Sequence, residues 1–187
     1  KKAAMVLCFR QGNPIEEAHQ DKTIAGFIAR YGKVCILVAN KWDLIEKENQ
    51  TFNEYTEWIQ HEFRALDYMP ILFTSALTKQ RIETLLELSQ TLYRTASTRI
   101  PTPLLNQFLQ SVTMEQSPRA IGRGRRPSLK YITQADTLPP TFVVFTSFPR
   151  EIQPSYRSYL IRRLRDEFDF HGVPIEMVFR DSRPEKD

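Results

Sequence analysis

The chain alternates short apolar runs with longer segments whose apolar residues recur at helical spacing. In the first half, apolar runs predict strands at 4–9, 34–39 and 70–74, and helical spacing predicts helices at about 17–31, 51–65 and 81–96. The apolar runs are continuous, which is typical of strands covered on both faces. This alternation of strand and helix predicts an α/β fold, a parallel sheet with helices on both faces.

The second half predicts a different order of elements. A helical stripe of apolar residues near 104–112 comes first, then strands at 130–132 and 141–145, a helix over about 155–168 and a last strand at 174–179. This order, α-β-β-α-β, predicts a separate α+β domain. Three helices have predicted inward-facing stripes: Ile82, Leu85, Leu86, Leu88 and Leu92 in the first half, and in the second half Leu104, Leu105, Phe108, Leu109 and Val112, then Tyr156, Tyr159, Leu160, Leu164 and Phe168.

Composition changes near the segment Ile100-Pro101-Thr102-Pro103. Residues 1–98 carry 12 Lys/Arg and 12 Asp/Glu, whereas residues 99–187 carry 14 and 10, which leaves a net charge of +4 in the second half. Ten of the twelve prolines also lie in that half. Because two closely spaced prolines interrupt helices, we predict domains at 1–98 and 99–187.

The motif Asn40-Lys41-Trp42-Asp43 follows the apolar run at 34–39 and has the chemistry needed to bind guanine. An aspartate carboxylate can accept hydrogen bonds from guanine N1–H and the exocyclic amine, a donor pair that adenine lacks. Asn40 can bond the purine N7 and brace a neighbouring loop, while the Lys41 stem lies over the base. The four residues therefore predict a guanine-nucleotide site.

A second motif, Thr74-Ser75-Ala76-Leu77, follows the next predicted strand. Small residues at Ser75 and Ala76 would let a backbone N–H approach the guanine O6. Ligands of parallel sheets sit at the carboxyl ends of the strands, where both motifs begin. The simpler alternative is two strand-to-helix turns with polar residues facing solvent.

The two motifs resemble the base-recognition motifs of the translation-factor class of P-loop GTPases, and the chain as a whole resembles the Der/EngA family of bacterial ribosome-assembly GTPases. The stretches Pro139–Phe145 and Gly172–Ile175 resemble the KH-like domain of that family. The resemblance implies a partial P-loop GTPase sheet followed by a KH-like domain. It also implies a protein that hydrolyses GTP to GDP with Mg²⁺ and assists maturation of the large ribosomal subunit, with rRNA and its own upstream GTPase domains as partners.

The phosphate-binding and switch motifs of such GTPases do not occur in this sequence. The nearest candidates, Gly26…Gly32-Lys33-Val34 and Asp169-Phe170-His171-Gly172, have the wrong spacing or position, and both are interpreted as helix ends. In the resembled family those motifs precede the first predicted strand, so the chain is expected to begin after them and to lack Mg²⁺ ligands, catalytic residues and activity on its own. The segment Phe9–Asn13 departs from the family pattern and leaves open whether the domain hydrolyses nucleotide.

Arginines in the second half are candidates for RNA contact. Arg119, Arg123, Arg125 and Arg126 form a basic, glycine-containing loop, and Arg162 and Arg163 lie on the predicted helix at 155–168. The Gly-x-x-Gly loop with which KH domains grip single strands is not in the sequence, so the prediction rests on charge. The helix arginines are equally consistent with a solvated face.

Other features of the sequence narrow the class of protein. The three histidines and two cysteines show no metal-ligand spacing, and Cys8 and Cys35 lie in apolar runs, as expected of buried thiols in a reducing compartment. Apolar runs are too short to cross a membrane. We therefore expect a cytoplasmic protein without a metal site in this stretch. The competing interpretation is a non-catalytic module that binds the ribosome or a protein through its basic face and has a vestigial nucleotide site.

Overall fold

The structure is a computed structural model that describes residues 5–8, 14–45 and 51–182, with side-chain surroundings for 22–45, 52–64, 66–122 and 124–182. The segment Phe9–Asn13, whose role was left open above, and the side chains of Cys8 and Arg123 lie outside these described parts. Two compact units emerge, one reaching Arg94 together with Gly172–Pro174, and one covering Thr95–His171 and the chain from Ile175 onward.

The first unit is a parallel α/β structure, as predicted. Its strands β1 (Met5–Cys8), β2 (Cys35–Ala39) and β3 (Ile71–Phe73) pair in parallel in the order β1-β2-β3. Helix α1 (Pro14–Arg30) joins the first two strands, α2 (Thr51–Glu62) joins the second two, and α3 (Ile82–Ser97) follows. The apolar runs are buried throughout β2, which explains why they show no polar alternation.

Alternate residues of β2 face opposite sides of the first sheet. Cys35, Leu37 and Ala39 join a buried cluster with residues of α1 and α2, among them Ile28 and Ile59. Ile36 and Val38, which point the other way, are also buried, so both faces of this strand are covered. Burial raises the pKa of the Cys35 thiol to about 12, so this thiol is protonated at neutral pH.

The two segments interpreted as helix ends are helix ends. Gly32, at φ 55°, follows α1, and the N–H of Lys33 donates to the carbonyl of Ile28. In the second unit Asp169 adopts φ 54° and the N–H of Phe170 donates to the Arg165 carbonyl. These bonds across a left-handed residue close helices in the usual way, and neither segment has the strand-to-helix setting of a phosphate loop.

The second unit confirms the α-β-β-α-β order. Helix α4 (Thr102–Glu115) precedes strands β4 (Leu129–Thr137) and β5 (Pro140–Thr146), and helix α5 (Pro154–Glu167) precedes β6 (Glu176–Asp181). The sheet order is β4-β5-β6, with β4 antiparallel and β6 parallel to the central strand. Strand β4 extends well beyond the predicted 130–132 because its polar residues, which hid it in the sequence, are hydrogen-bonded in the fold.

The prediction of buried helical stripes is wrong for two leucines. Leu86 of α3 is 60% exposed and Leu104 of α4 is 47% exposed, whereas the adjacent Leu85 is partly buried and Leu105 fully buried. Each exposed leucine is adjacent in sequence to another stripe residue. Consecutive helical residues point about 100° apart, so one of the two turns away from the core.

Candidate functional site

The two predicted guanine motifs lie side by side at the carboxyl ends of adjacent strands. Residues 40–43 follow β2 and residues 74–77 follow β3, and the parallel pairing of these strands brings both loops to one edge of the sheet. Backbone bonds extend the ladder into the loops: the Thr74 N–H donates to the Ala39 carbonyl at 2.8 Å and the Trp42 N–H to the Thr74 carbonyl at 3.0 Å. The sheet thus places both motifs at the edge where parallel sheets bind ligands.

The Asn40 side chain connects the two loops. Its Oδ1 accepts a hydrogen bond from the Ala76 N–H at 3.1 Å and lies 3.5 Å from the Thr74 hydroxyl. An amide can donate and accept at the same time, so the Nδ2 group keeps its donor capacity for a ligand. This is the bracing role that the sequence predicted for Asn40.

Lys41 precedes a short 3-10 turn, Trp42–Leu44, which contains Asp43 and begins the loop. Lys41 is exposed and adopts φ 64°, a left-handed conformation that costs a non-glycine residue about 1–2 kcal/mol. Strain of this kind persists where the surroundings enforce it, and here the buried Trp42 ring and its backbone bond to Thr74 do so.

Asp43 has a buried oxygen that is not satisfied within the described part of the chain. Its Oδ1 is inaccessible to solvent and accepts no hydrogen bond from a described residue. Leaving a buried acceptor unpaired costs about 1–3 kcal/mol, more for a charged group. A ligand with paired N–H donors, such as the guanine edge, would satisfy it.

The polar groups of Ser75 and the N–H of Ala76 form hydrogen bonds that hold the second loop in shape. Ser75 is fully buried, its Oγ accepts from the Thr78 N–H at 3.1 Å, and its N–H donates to the Gln80 carbonyl at 3.2 Å. Because the Ala76 N–H is donated to Asn40, it braces the loops in this structure. Contact of either residue with guanine stays a prediction.

Two participants, Thr74 and Arg81, were not among the predicted site residues. Thr74 bonds the first loop through its carbonyl and lies near Asn40 through its hydroxyl, and the Arg81 guanidinium donates to the Phe73 carbonyl at 3.3 Å. Thr74 precedes the small-residue motif, so its polarity was a usable signal. Arg81 reaches β3 only because the chain reverses between them, which local sequence does not show.

An aromatic cluster supports the site from below. The Trp42 ring lies 4.4 Å from the Phe73 ring and 5.6 Å from the Tyr55 ring, and Phe52 lies 4.8 Å from Phe73. Trp42 is buried in this cluster, so it is a packing residue and not a platform for a base. Its burial holds its neighbours Lys41 and Asp43 in position.

The predicted basic loop lies at one end of the second sheet. Arg119, Arg125 and Arg126 are exposed, and the Ile121 N–H donates to the Arg125 carbonyl at 2.6 Å. The Arg125 guanidinium lies 5.5 Å from the centre of the Phe148 ring, just beyond β5. The three described arginines therefore keep their charges in solvent, available to phosphate groups.

The two predicted helix arginines differ in their surroundings. Arg162 is exposed, whereas Arg163 forms a 2.5 Å ion pair with Glu115 of α4 and lies 5.9 Å from the Tyr159 ring. The hydrogen bond to Glu115 raises the pKa of the Arg163 guanidinium and partly neutralises its charge. Arg163 thus ties α5 to α4, which makes it the weaker candidate for phosphate.

The described residues show neither a metal site nor a membrane span. Three or more His, Cys, Asp or Glu side chains do not come together within 22–45, 52–64, 66–122 and 124–182 in a way that could hold a metal ion. Within the same described parts, helices are too short or too polar to cross a membrane.

Comparison with known proteins agrees with the resemblance seen in the sequence. Residues 99–180 match the family described as the KH-domain-like C-terminal domain of EngA bacterial GTPase enzymes. The proteins named GTPase Der of Chloroflexus aggregans and Brevibacillus brevis are 42% and 40% identical to this chain over 168 and 161 residues, covering 90% and 86% of it. GTPase Der of Heliobacterium modesticaldum is 39% identical over 168 residues, again 90% of the chain.

The chain spans 37–38% of the length of these relatives. The matched KH-like domain covers most of the second unit, and the similarity continues into the first unit, which contains the two predicted base-recognition motifs. The chain therefore belongs to the Der/EngA family of bacterial GTPases, in the part of those proteins that carries the C-terminal KH-like domain.

Proposed function

We propose that this chain supplies guanine recognition and an RNA-contacting KH-like domain to a cytoplasmic GTPase that assists maturation of the large ribosomal subunit. The whole protein would hydrolyse GTP to GDP with Mg²⁺, while this stretch contributes no catalytic residue. Asn40, Lys41 and Asp43 hold the base, with Ser75 and Ala76 forming the adjoining loop. Residues elsewhere in the whole protein would hold the phosphates and Mg²⁺.

The unpaired, buried Asp43 oxygen beside the Asn40 brace is the observation that carries the proposal. Guanine presents two neighbouring N–H donors to a carboxylate, whereas adenine presents none in that arrangement. Charge-assisted hydrogen bonds contribute about 1.5–3 kcal/mol each, enough to select guanine over adenine nucleotides by tenfold or more. Because the brace already joins the two loops, it reduces the cost of ordering them when the base binds.

The RNA-contacting part of the proposal rests on the basic loop. Arg119, Arg125 and Arg126 are exposed on the domain that has the excess of positive charge. Binding through such residues weakens with salt, since each neutralised phosphate releases counterions.

The base-recognition proposal is tested by Asp43→Asn in the protein with all its natural upstream sequence. The asparagine oxygen can still accept from N1–H, whereas its amide donor opposes the exocyclic amine of guanine and matches the carbonyl that xanthine has in that place. We expect GDP affinity to fall at least tenfold and xanthosine diphosphate to bind better than GDP, measured by competition against fluorescent GDP. Asp67→Asn, at an exposed aspartate of the same unit, is the matched control and leaves GDP affinity unchanged. A retained preference for GDP in the Asp43 variant would contradict the assignment.

The second candidate is a module whose nucleotide site is vestigial. Its support is the departure from the family pattern at Phe9–Asn13. The same titration separates the two: micromolar binding displaced by GDP and not by ATP supports the guanine site, whereas a folded protein that binds no GDP supports the module.

A further inference from the structure

The sheet of the second unit has one face that the helices do not cover. Phe142 and Val144 of β5 are fully buried on the helix-facing side, together with Ile132 of β4. The residues that alternate with them face the other way: Tyr131 is 44% exposed and Val178 40%, while Val143 of the central strand is buried. We call this side, made of Tyr131, Thr133, Val143, Phe145, Val178 and Arg180, the open face.

One row of the open face combines two stacked rings with a guanidinium. Tyr131 of β4 pairs with Phe145 of β5, and their rings stack at 4.2 Å between centres with 12° between planes. Phe145 pairs in turn with Arg180 of β6, and paired residues of neighbouring strands point to the same side of a sheet. Tyr131, Phe145 and Arg180 therefore form one row across the three strands.

The row lies at the basic end of the sheet. Glu176 lies on the same side of the sheet at the opposite end of β6. It is four residues from Arg180, a distance of about 13 Å along the strand. Arg180 is exposed and forms no ion pair with a described residue. The basic loop adjoins the same end, because the Ser128 N–H donates to Ser147 Oγ at 3.0 Å and Arg125 lies over Phe148.

Bases of single-stranded nucleic acid bind to accessible aromatic rings that have guanidinium groups beside them. Bases stack on aromatic side chains of open sheets while arginines contact the phosphates, and duplexes cannot use such rings because their bases are already stacked. A protein segment is the other occupant to test, since aromatic residues and arginine are also enriched at protein interfaces. Arg180 at one end of this row, with the exposed arginines of the basic loop beside it, favours nucleic acid, because several guanidinium groups together can neutralise successive phosphates.

We propose that the Tyr131–Phe145–Arg180 row binds a single-stranded RNA segment, with bases stacked on the rings and phosphates contacting Arg180 and the basic loop. The proposal deepens the RNA-binding part of the proposed function and does not depend on the guanine site. It adds sheet residues that charge clustering in the sequence did not indicate, and it needs no Gly-x-x-Gly loop.

The test measures binding of the full chain to a fluorescent single-stranded oligoadenylate of about 10 nucleotides, within the usual site sizes for sheet-based binders. We expect Tyr131→Leu to weaken binding roughly tenfold with the salt slope unchanged, because stacking releases no counterions. Arg180→Gln reduces the salt slope by about 0.7, the value for one phosphate of a single strand. Tyr131→Phe, which keeps the ring, binds like the wild type, as does Tyr31→Leu, a control at an exposed tyrosine directly after α1.

A second readout detects stacking directly and guards against misfolded variants. Oligonucleotides containing 2-aminopurine lose fluorescence when that base stacks on a ring, so quenching is expected with the wild type and Tyr131→Phe and not with Tyr131→Leu. Circular dichroism establishes that each variant is folded. A blunt duplex of the same length is expected to bind the wild type and Tyr131→Leu equally.

Two results would overturn the proposal in distinguishable ways. If Tyr131→Leu and Arg180→Gln bind the oligonucleotide normally while Arg125→Gln and Arg126→Gln do not, RNA contacts the basic loop alone and the RNA-binding part of the proposed function survives. If the folded wild type does not bind the oligonucleotide at low salt, both fail, and a protein partner becomes the occupant to test for this face.

Discussion

Single residues in unfavourable backbone conformations concentrate around the candidate base site. Lys41, Lys79 and Arg81 adopt φ of 64°, 62° and 58°, and all three lie in the loops that follow β2 and β3. Left-handed residues other than glycine are costly and persist where surrounding contacts compensate. Lys41 is held by the buried Trp42, and Arg81 by its bond to the Phe73 carbonyl.

Lys79 is exposed and gives a direct measure of this strain. We expect Lys79→Gly to raise the free energy of unfolding by about 0.5–1 kcal/mol, because glycine adopts positive φ without steric cost but loses more entropy on folding. Lys79→Ala, which removes the charge and keeps the Cβ, controls for electrostatics and should be close to neutral. Urea unfolding monitored by circular dichroism measures the stability of the wild type and of both variants. Equal stability of the glycine and alanine variants would argue against strain at this position.

Tyr156 couples stability of the second unit to alkaline pH. Burial raises the pKa of its phenol from 10.0 to about 12, and the hydroxyl donates to the Gln116 carbonyl at 2.8 Å. The folded state thus keeps a proton that the unfolded state releases from pH 10 upward. Stability from this group is fully present below pH 10 and declines as the pH rises towards about 12.

The variant Tyr156→Phe is expected to remove that decline. Near neutral pH it should lower the free energy of unfolding by about 0.5–1.5 kcal/mol, since it loses one hydrogen bond. The difference from wild type should shrink as the pH rises above 10, measured by urea titrations at several pH values. A difference that stays constant with pH would show that the phenol has an ordinary pKa.

At the scale of whole elements, polar side chains satisfy backbone groups that the sheets leave unpaired. Strand β4 is an edge strand, and its Ile132 is fully buried. The Asn106 side chain of α4 takes the place of a neighbouring strand: its Oδ1 accepts from the Ile132 N–H at 3.0 Å and its Nδ2 donates to the Ile132 carbonyl at 3.2 Å. This side chain secures α4 to the edge and blocks further strand pairing there.

Asn106→Ala is expected to destabilise the second unit by about 1–3 kcal/mol, because it leaves a buried N–H and carbonyl without partners. Asn106→Asp keeps the acceptor and loses the donor, so its effect should be smaller. Gln110→Ala, one turn further along α4 at an exposed position, is the matched control and should lie within about 0.5 kcal/mol of wild type. If the alanine variants at 106 and 110 were equally stable in urea unfolding, the edge bonds would contribute nothing.

At the scale of the whole molecule, the second unit begins before the prolines that mark it in the sequence. Gln134 of β4 is only 4% exposed, and both polar atoms of its side-chain amide are hydrogen-bonded. Its Oε1 accepts from the Ile100 N–H at 2.8 Å and its Nε2 donates to the Thr98 carbonyl at 2.9 Å. The Arg99 guanidinium donates to the Gln134 carbonyl. The segment 98–100 is therefore part of the structure of this unit and not a passive connection.

A protein of residues 95–187 should accordingly be more stable than one of residues 101–187. The shorter chain leaves the buried Gln134 amide unpaired, which should cost about 1–3 kcal/mol. Gln134→Leu removes the polar group and should bring the stabilities of the two lengths closer together. Thermal unfolding of the four proteins measures this, and equal stability of both wild-type lengths would show that 98–100 does not support the unit.

The strands, the helix ends and the guanine motif could be predicted from the sequence because each depends on local chemistry. The continuous apolar runs predicted the parallel strands, and the segments around Gly32 and Gly172 were correctly interpreted as helix ends. Asn40 and Asp43 indicated guanine recognition because hydrogen-bonding capacity is a property of the side chain itself. The α-β-β-α-β order followed from periodicity alone, since each element shows its own repeat within a few turns.

Contacts between residues distant in sequence were beyond such reasoning. Asn40 meets Ala76 only after two strands pair, Gln134 could be buried only because Thr98 and Ile100 reach it, and Leu86 and Leu104 turned outward according to what packs around their helices. The Tyr131–Phe145–Arg180 row exists only in the register of three strands. Sequence patterns report the preferences of each segment, whereas partners, burial and register depend on which segments meet, and only the folded chain brings them together.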